Sequence, residues 1–168
     1  MERAFDLVPI FASLTEEERK ALAGKTKRKR HDKGDVLVKP GDLLGSLFVI
    51  GAGVVSVTRV SSEGEIELMR IGPGDHFGEI GLLTGATLKK TLKALTPVTT
   101  YELEKEHLAP VIAARPDFSD ELCHVLAQHQ AIGRLVATDE IDKSLPPSDL
   151  AAWFSDRLHR LVDFASAK

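Results

Sequence analysis

The stretch Gly72-Pro73-Gly74-Asp75-His76-Phe77-Gly78-Glu79-Ile80-Gly81-Leu82-Leu83-Thr84-Gly85 decides how this chain is read. Gly72-Pro73-Gly74-Asp75 spells a tight turn, because proline presets one backbone angle and glycine accepts the positive angle that other residues resist. The chain then re-enters abruptly at Phe77. A short helix opening at Gly78 presents its first amides outward and makes a small positive concavity suited to an anion, and Gly78 lets that anion come close. Glu79 is out of place in a plain phosphate site, since a carboxylate repels phosphate but accepts hydroxyl protons. A ligand carrying both a phosphate and a sugar hydroxyl reconciles the two.

The run Phe77-Gly78-Glu79-Ile80-Gly81-Leu82-Leu83, followed by Thr84-Gly85, resembles the phosphate-binding cassette of the cyclic-nucleotide-binding domain family, here placed at 72–91. The resemblance implies that Glu79 takes the ribose 2'-hydroxyl and that the amides of Gly78 to Leu82 hold the cyclic phosphate of cAMP or cGMP. In the family an arginine at the ninth position after the glutamate pairs with the phosphate; here that position is Leu88, within Thr87-Leu88-Lys89-Lys90-Thr91 where the family has Pro-Arg-small-small-Thr. The expected ligand-binding set is Phe77, Gly78, Glu79, Ile80, Gly81, Leu82, Leu88, Lys89, Lys90 and Thr91. A charge-assisted bond to phosphate is worth about 1.5–3 kcal/mol, roughly ten- to a hundredfold in affinity. Lys90 is the expected substitute: if a strand begins at this point, alternation turns it the same way as Leu88, although lysine lacks the bidentate fork of a guanidinium.

Upstream, residues 1–24 read as a helical lead-in. Pro9 separates two short helices, Thr15-Glu16-Glu17-Glu18 offers a capping box, and Gly24 closes the second helix. The phrase Val8-Pro9-Ile10-Phe11-Ala12-Ser13-Leu14-Thr15 resembles the lead-in of the same family. Residues 25–103 carry short strands punctuated by turns: Val36-Leu37-Val38, Leu47 to Ile50, Val54 to Val60, Thr91 to Leu95 and Val98 to Leu103. Glu65 to Ile71 alternates polar with apolar and is expected to be half buried. Strands this short and evenly spaced imply a mainly β fold with flanking α-helices, an antiparallel β-roll or jelly roll; the resemblance implies its cyclic-nucleotide-binding type. The basic run Lys25 to His31 reads as an edge strand whose lysines deter pairing with another sheet, the alternative being a patch for nucleic acid or acidic membrane.

Residues 104–136 return to helical spacing, as hinge and lid helices divided at Pro116. The resemblance makes Ile132, Leu135 and Val136 lid candidates, and core packing is their other reading. A linker, 137–148, leads to an amphipathic tail helix, 149–168, whose stripe of Leu150, Trp153, Phe154, Leu158, Leu161 and Ala165 calls for a partner surface: the domain itself, a second copy, a membrane or a parent channel. Leu103-Glu104-Lys105-Glu106-His107-Leu108-Ala109-Pro110 and Ala113-Ala114-Arg115-Pro116, with the tail, resemble the cytoplasmic C-terminal regulatory ends of bacterial mechanosensitive-type channels that carry this domain. That second resemblance implies a parent membrane channel, or a homo-oligomer formed through the tail helix, as partner.

Composition bounds the remaining functions. The chain has 168 residues, a formal charge of −3 and a single cysteine, Cys123, so it is long enough for one buried core and cannot form an internal disulfide. Neither the charge balance nor one basic strand makes a nucleic-acid footprint. No apolar run is long enough for a membrane span and the N-terminus lacks the core of a secretory signal, so a cytoplasmic location is expected. No catalytic constellation, metal-ligand spacing or cofactor motif stands out: His76 and Glu79 have only the distant His31 as a third ligand, and His76 reads as a turn or pocket-rim residue. A non-enzymatic role is expected, and two remain open. One is a sensor in which cAMP or cGMP repositions the C-terminal helices; the other is a fold that has lost its nucleotide and serves as an interaction or assembly module.

Overall fold

Two antiparallel sheets carry the molecule, and a computed structural model describes them with their helices over residues 2–131 and 147–166. The first sheet has the order β1 (Lys27–His31), β8 (Val98–Glu104), β3 (Ser46–Ala52), β6 (His76–Phe77); the second has β2 (Val36–Val38), β7 (Thr91–Ala94), β4 (Val55–Ser61), β5 (Gly64–Ile71). Val38, Ile50, Val55, Val57, Phe77, Leu92 and Val98 form a core drawn from both sheets. This is the expected β-roll. Apolar side chains on the other face of β3 and β8, among them Leu47, Val49, Tyr101 and Leu103, join a second core supplied by the helices. Being covered on both faces explains why β3 is a nearly continuous apolar run.

The lead-in follows its local signals. Helix α1 (Glu2–Asp6), a 3-10 turn (Pro9–Phe11) and α2 (Glu16–Ala23) are separated as Pro9 requires. Thr15 caps α2: its hydroxyl accepts from the Glu18 amide at 3.2 Å while the Thr15 amide donates to the Glu18 carboxylate at 2.8 Å. The basic run is an edge strand, β1, exposed along nearly its whole length and paired only with β8.

Two strand expectations change. Glu65 to Ile71 is not half buried: Ile66 and Leu68 are 42% and 41% exposed. Strand β5 is the outer edge of its sheet, and a register shift opposite Val57 and Thr58 leaves Met69 and Ile71 as the residues that reach the core. His76 is not in a turn but in β6, buried and paired with Val49.

Helices α4 (Lys105–Ala114) and α5 (Pro116–Ala131) meet at Arg115, whose guanidinium binds both carboxylate oxygens of Glu18 at 2.6 and 2.7 Å, and Asp117 at 2.8 Å. Pro116 starts α5 rather than merely dividing two helices, because its fixed φ and missing amide suit a first helical turn. The lid candidates Ile132, Leu135 and Val136 lie outside the described residues. Helix α6 (Pro147–Ser166) starts inside the expected linker, at Pro147, for the same reason as α5. It folds back on the domain, packing against α3 (Glu79–Thr84), α4 and α5, with Phe154 and Leu158 fully buried. No described helix is long and apolar enough to cross a membrane.

Candidate functional site

The turn that introduces the site is built as its residues require. The Gly72 amide donates to the Asp75 carboxylate and the Asp75 amide to the Gly72 carbonyl, each at 2.9 Å, with Gly74 at φ +91°. The chain then adds β6 beside β3, where Phe77 stacks on Phe48 with ring centroids 4.9 Å apart. Gly78 follows at φ +95° and caps α3, whose first turn is closed by the Leu82 amide donating to the Gly78 carbonyl at 2.9 Å.

Gly78 is also pressed against the roll. A Cβ on it would stand 2.4 Å from the Ser46 carbonyl oxygen, so the room its missing side chain frees is taken by β3. Gly81 is crowded in the same way, with the Leu44 carbonyl 2.5 Å from where its Cβ would be. The two glycines let the short helix lie directly on the roll.

Glu79, the first residue of α3, is 4% exposed, and its Oε2 has no hydrogen-bond partner among the described residues. Loss of water pushes its carboxyl up to about 7, against the opposing pull of its own backbone amide and of Lys90. Such an orphaned acceptor is costly, and a ligand hydroxyl would satisfy it. A narrow cleft beside it is lined by Leu44, Gly78, Glu79, Ile80, Gly81, Ala86 and Leu88, with about 10 Å³ of free room, the least that admits one water.

The remaining expected residues divide by position. Ile80 and Leu82 are buried in the helix-side core. Leu88 is 6% exposed, packs in the roll core and holds the backbone in place: its amide donates to the Asp42 carbonyl at 2.9 Å and its carbonyl accepts from the Gly41 amide at 2.7 Å. Lys89 is exposed and Lys90 partly buried. Strand β7 starts at Thr91, not at Leu88, so the alternation argument for Lys90 does not apply; its charge favours the ionised form of Glu79, less strongly than burial opposes it. Leu44 and Ala86 were not anticipated as lining residues, and nothing in their local sequence marks them. Among the described residues no group of three or more His, Cys, Asp or Glu is placed to hold a metal ion.

The family model described as "Cyclic nucleotide-binding domain" matches residues 28–115. The cAMP-dependent protein kinase type II regulatory subunit of Drosophila melanogaster is 34% identical over 83 residues, 49% of this chain and 22% of that protein. The voltage-gated inwardly rectifying potassium channel KCNH2 of Rattus norvegicus is 29% identical over 147 residues, 86% of this chain and 12% of that protein. This chain therefore corresponds to a small fraction of either relative's length. Among solved structures, the N-terminal domain of a transcriptional regulator from Streptomyces coelicolor A3(2) superposes with a TM-score of 0.65 at 27% identity, covering 83% of this chain and 97% of that one.

Proposed function

The chain belongs to the cyclic nucleotide-binding domain family, and from that membership we propose that it is a sensor in which cAMP or cGMP docks on Phe77 to Leu82 and repositions the C-terminal helices. The observation that carries this reading is the buried, unpartnered Oε2 of Glu79 at the start of α3, an acceptor awaiting a ribose hydroxyl. Lys90 supplies the positive charge for the cyclic phosphate in place of the family arginine, as a single point charge rather than a fork. The switch works only as far as the ligand binds two helix arrangements with different affinity. The effector is a larger protein of which this is a cytoplasmic part; likeness to the KCNH2 channel over 86% of this chain supports a membrane channel in that role.

The position of Leu88 favours a second reading. Its side chain is built into the roll core at the place where the family carries its phosphate-binding arginine, as it would be in a domain retained for assembly after losing its ligand. Calorimetric titration with cAMP and with cGMP separates the two. Saturable heat with either nucleotide, strengthened roughly ten- to a hundredfold in Leu88→Arg, supports the sensor. No heat and no thermal shift at millimolar nucleotide, in both the native chain and a folded Leu88→Arg variant, rejects it.

A further inference from the structure

Strand β1 ends its sheet: β8 flanks it on one side, and among the described residues no strand or helix packs along the other. An antiparallel ladder uses the amide and carbonyl of alternate residues, so the rest of the β1 backbone points away from β8. Beyond that ladder, the backbone of Lys27–His31 enters no hydrogen bond among the described residues. The strand therefore holds an open row of donors and acceptors.

Its side chains decide what can use that row. The register sets Lys27 and Lys29 on the face of Glu102 and Thr100, and Arg28 and Arg30 on the face of Tyr101 and Thr99, so cations line both faces. Lys27 is paired with Glu104, whereas the side chains of Arg28, Lys29 and Arg30 are exposed and form neither ion pair nor hydrogen bond among the described residues. A neutral or basic strand brought alongside would leave these charges crowded or uncompensated, which is how cations protect an edge. The same charges admit a strand that carries carboxylates. Successive side chains of that strand also point to opposite faces, so it needs acids at consecutive positions.

We propose that β1 is a docking edge for an extended acidic segment of a partner protein, which adds as a strand outside β1 and sets consecutive Asp and Glu side chains against Arg28, Lys29 and Arg30. The surface uses no residue of the Glu79 cleft and does not depend on nucleotide binding. A second copy of this chain fits less well. Its long outer edge, β5, alternates Glu65 and Glu67 with Ile66 and Leu68, so it matches only one of the two faces, and both carboxylates are already bound by Thr58, Ser56 and Arg70. Two β1 edges would oppose like charges. A nucleic acid or an anionic bilayer is also the poorer match: Glu102 and Glu104 on β8 and Asp32 and Asp35 in the turn after β1 border the cations, and a phosphate offers acceptors but no donors to the open backbone.

Fluorescence anisotropy with the full chain and a labelled hexapeptide of alternating Asp and Glu tests this. Binding should weaken about tenfold or more when every peptide amide is N-methylated, which keeps the charges and removes the donors a strand needs. It should weaken as much in the double variant Arg28→Glu and Arg30→Glu, with the melting temperature checking that the roll is intact. Where charge reversal disturbs the roll, Arg28→Gln with Arg30→Gln should give a smaller loss of the same kind. Hydrogen exchange in Lys27–His31 should slow on adding the peptide, and that of β5 should not change. No binding, equal binding of the methylated peptide, or protection at another edge overturns the proposal. So does tighter binding of a single-stranded oligonucleotide or of phosphatidylglycerol vesicles through the same arginines, and so does a dimer of the native chain that the arginine variants dissolve.

Discussion

Gly78 and Ser46 are in such close approach that a Cβ on the glycine would stand 2.4 Å from the serine's carbonyl oxygen, and no side-chain rotation could relieve it, since both partners are backbone. Gly78→Ala combines this overlap with a positive φ, and it should lower stability by about 3 kcal/mol or more. Gly34 has nearly the same φ, +96°, with nothing within 4 Å of its missing side chain, so Gly34→Ala should cost only the backbone strain, about 1 kcal/mol. Urea denaturation of the two variants checks the difference. Equal losses would show that the seat of α3 on β3 contributes nothing beyond backbone angle.

Glu79→Gln removes a carboxyl that burial has pushed up to about 7 from 4.5. A raised carboxyl penalises the folded state progressively as pH climbs from 4.5 toward 7, by up to roughly 3 kcal/mol, and the penalty is constant above that. The variant's stability should therefore gain on the native chain's between about pH 5 and 7 and run parallel to it beyond. Chemical denaturation at pH 5, 6, 7 and 8 measures the gap. A gap independent of pH would mean that Glu79 reaches water in the folded protein.

Local chemistry was legible in the sequence wherever short-range rules decide the outcome. The Thr15–Glu18 capping box, the Gly72–Asp75 turn and the β-branched run of β4 all require only neighbouring residues to form. What sequence could not supply depended on layers. Alternation in Glu65 to Ile71 shows which side chains share a face, but whether a second layer covers that face depends on β5 being an outer edge. Glycine at 78 signalled close approach without saying to what, and the answer was the Ser46 carbonyl. Leu158, distant in sequence, lines a cavity beside Glu79; the spacing of Phe154 and Leu158 marked an apolar face on α6 but not the surface it would cover.

Arg115 ties the N-terminal lead-in to the C-terminal helices, with Glu18 on α2 and Asp117 on α5 both bound to one guanidinium. Arg115→Ala should lower the melting temperature, and Arg115→Lys should recover only part of the loss, because an ammonium cannot hold two carboxylates in a planar fork. The Asp117 carboxyl is held down to about 2, mainly by its hydrogen bond from Arg115. Its contribution is present above its ordinary 3.8 and is lost as pH falls toward 2. An acid titration followed by circular dichroism should show a shallower loss of stability between pH 4 and 2 in Arg115→Ala than in the native chain. Parallel acid curves would remove Arg115 as the cause.

Lys90 is the cation that acts on Glu79, and the two should answer to one substitution in opposite directions of charge. Lys90→Gln withdraws a field that favours the carboxylate, so the Glu79 carboxyl should titrate higher than about 7, visible in carboxyl carbon shifts by NMR. If Lys90 also meets the cyclic phosphate, the same variant should bind cAMP roughly ten- to a hundredfold more weakly, while Lys90→Arg keeps or improves affinity. The two readouts are separable. A shifted Glu79 titration with unchanged affinity assigns Lys90 to the carboxyl alone and leaves the phosphate to backbone amides; an unshifted titration removes Lys90 from the site altogether.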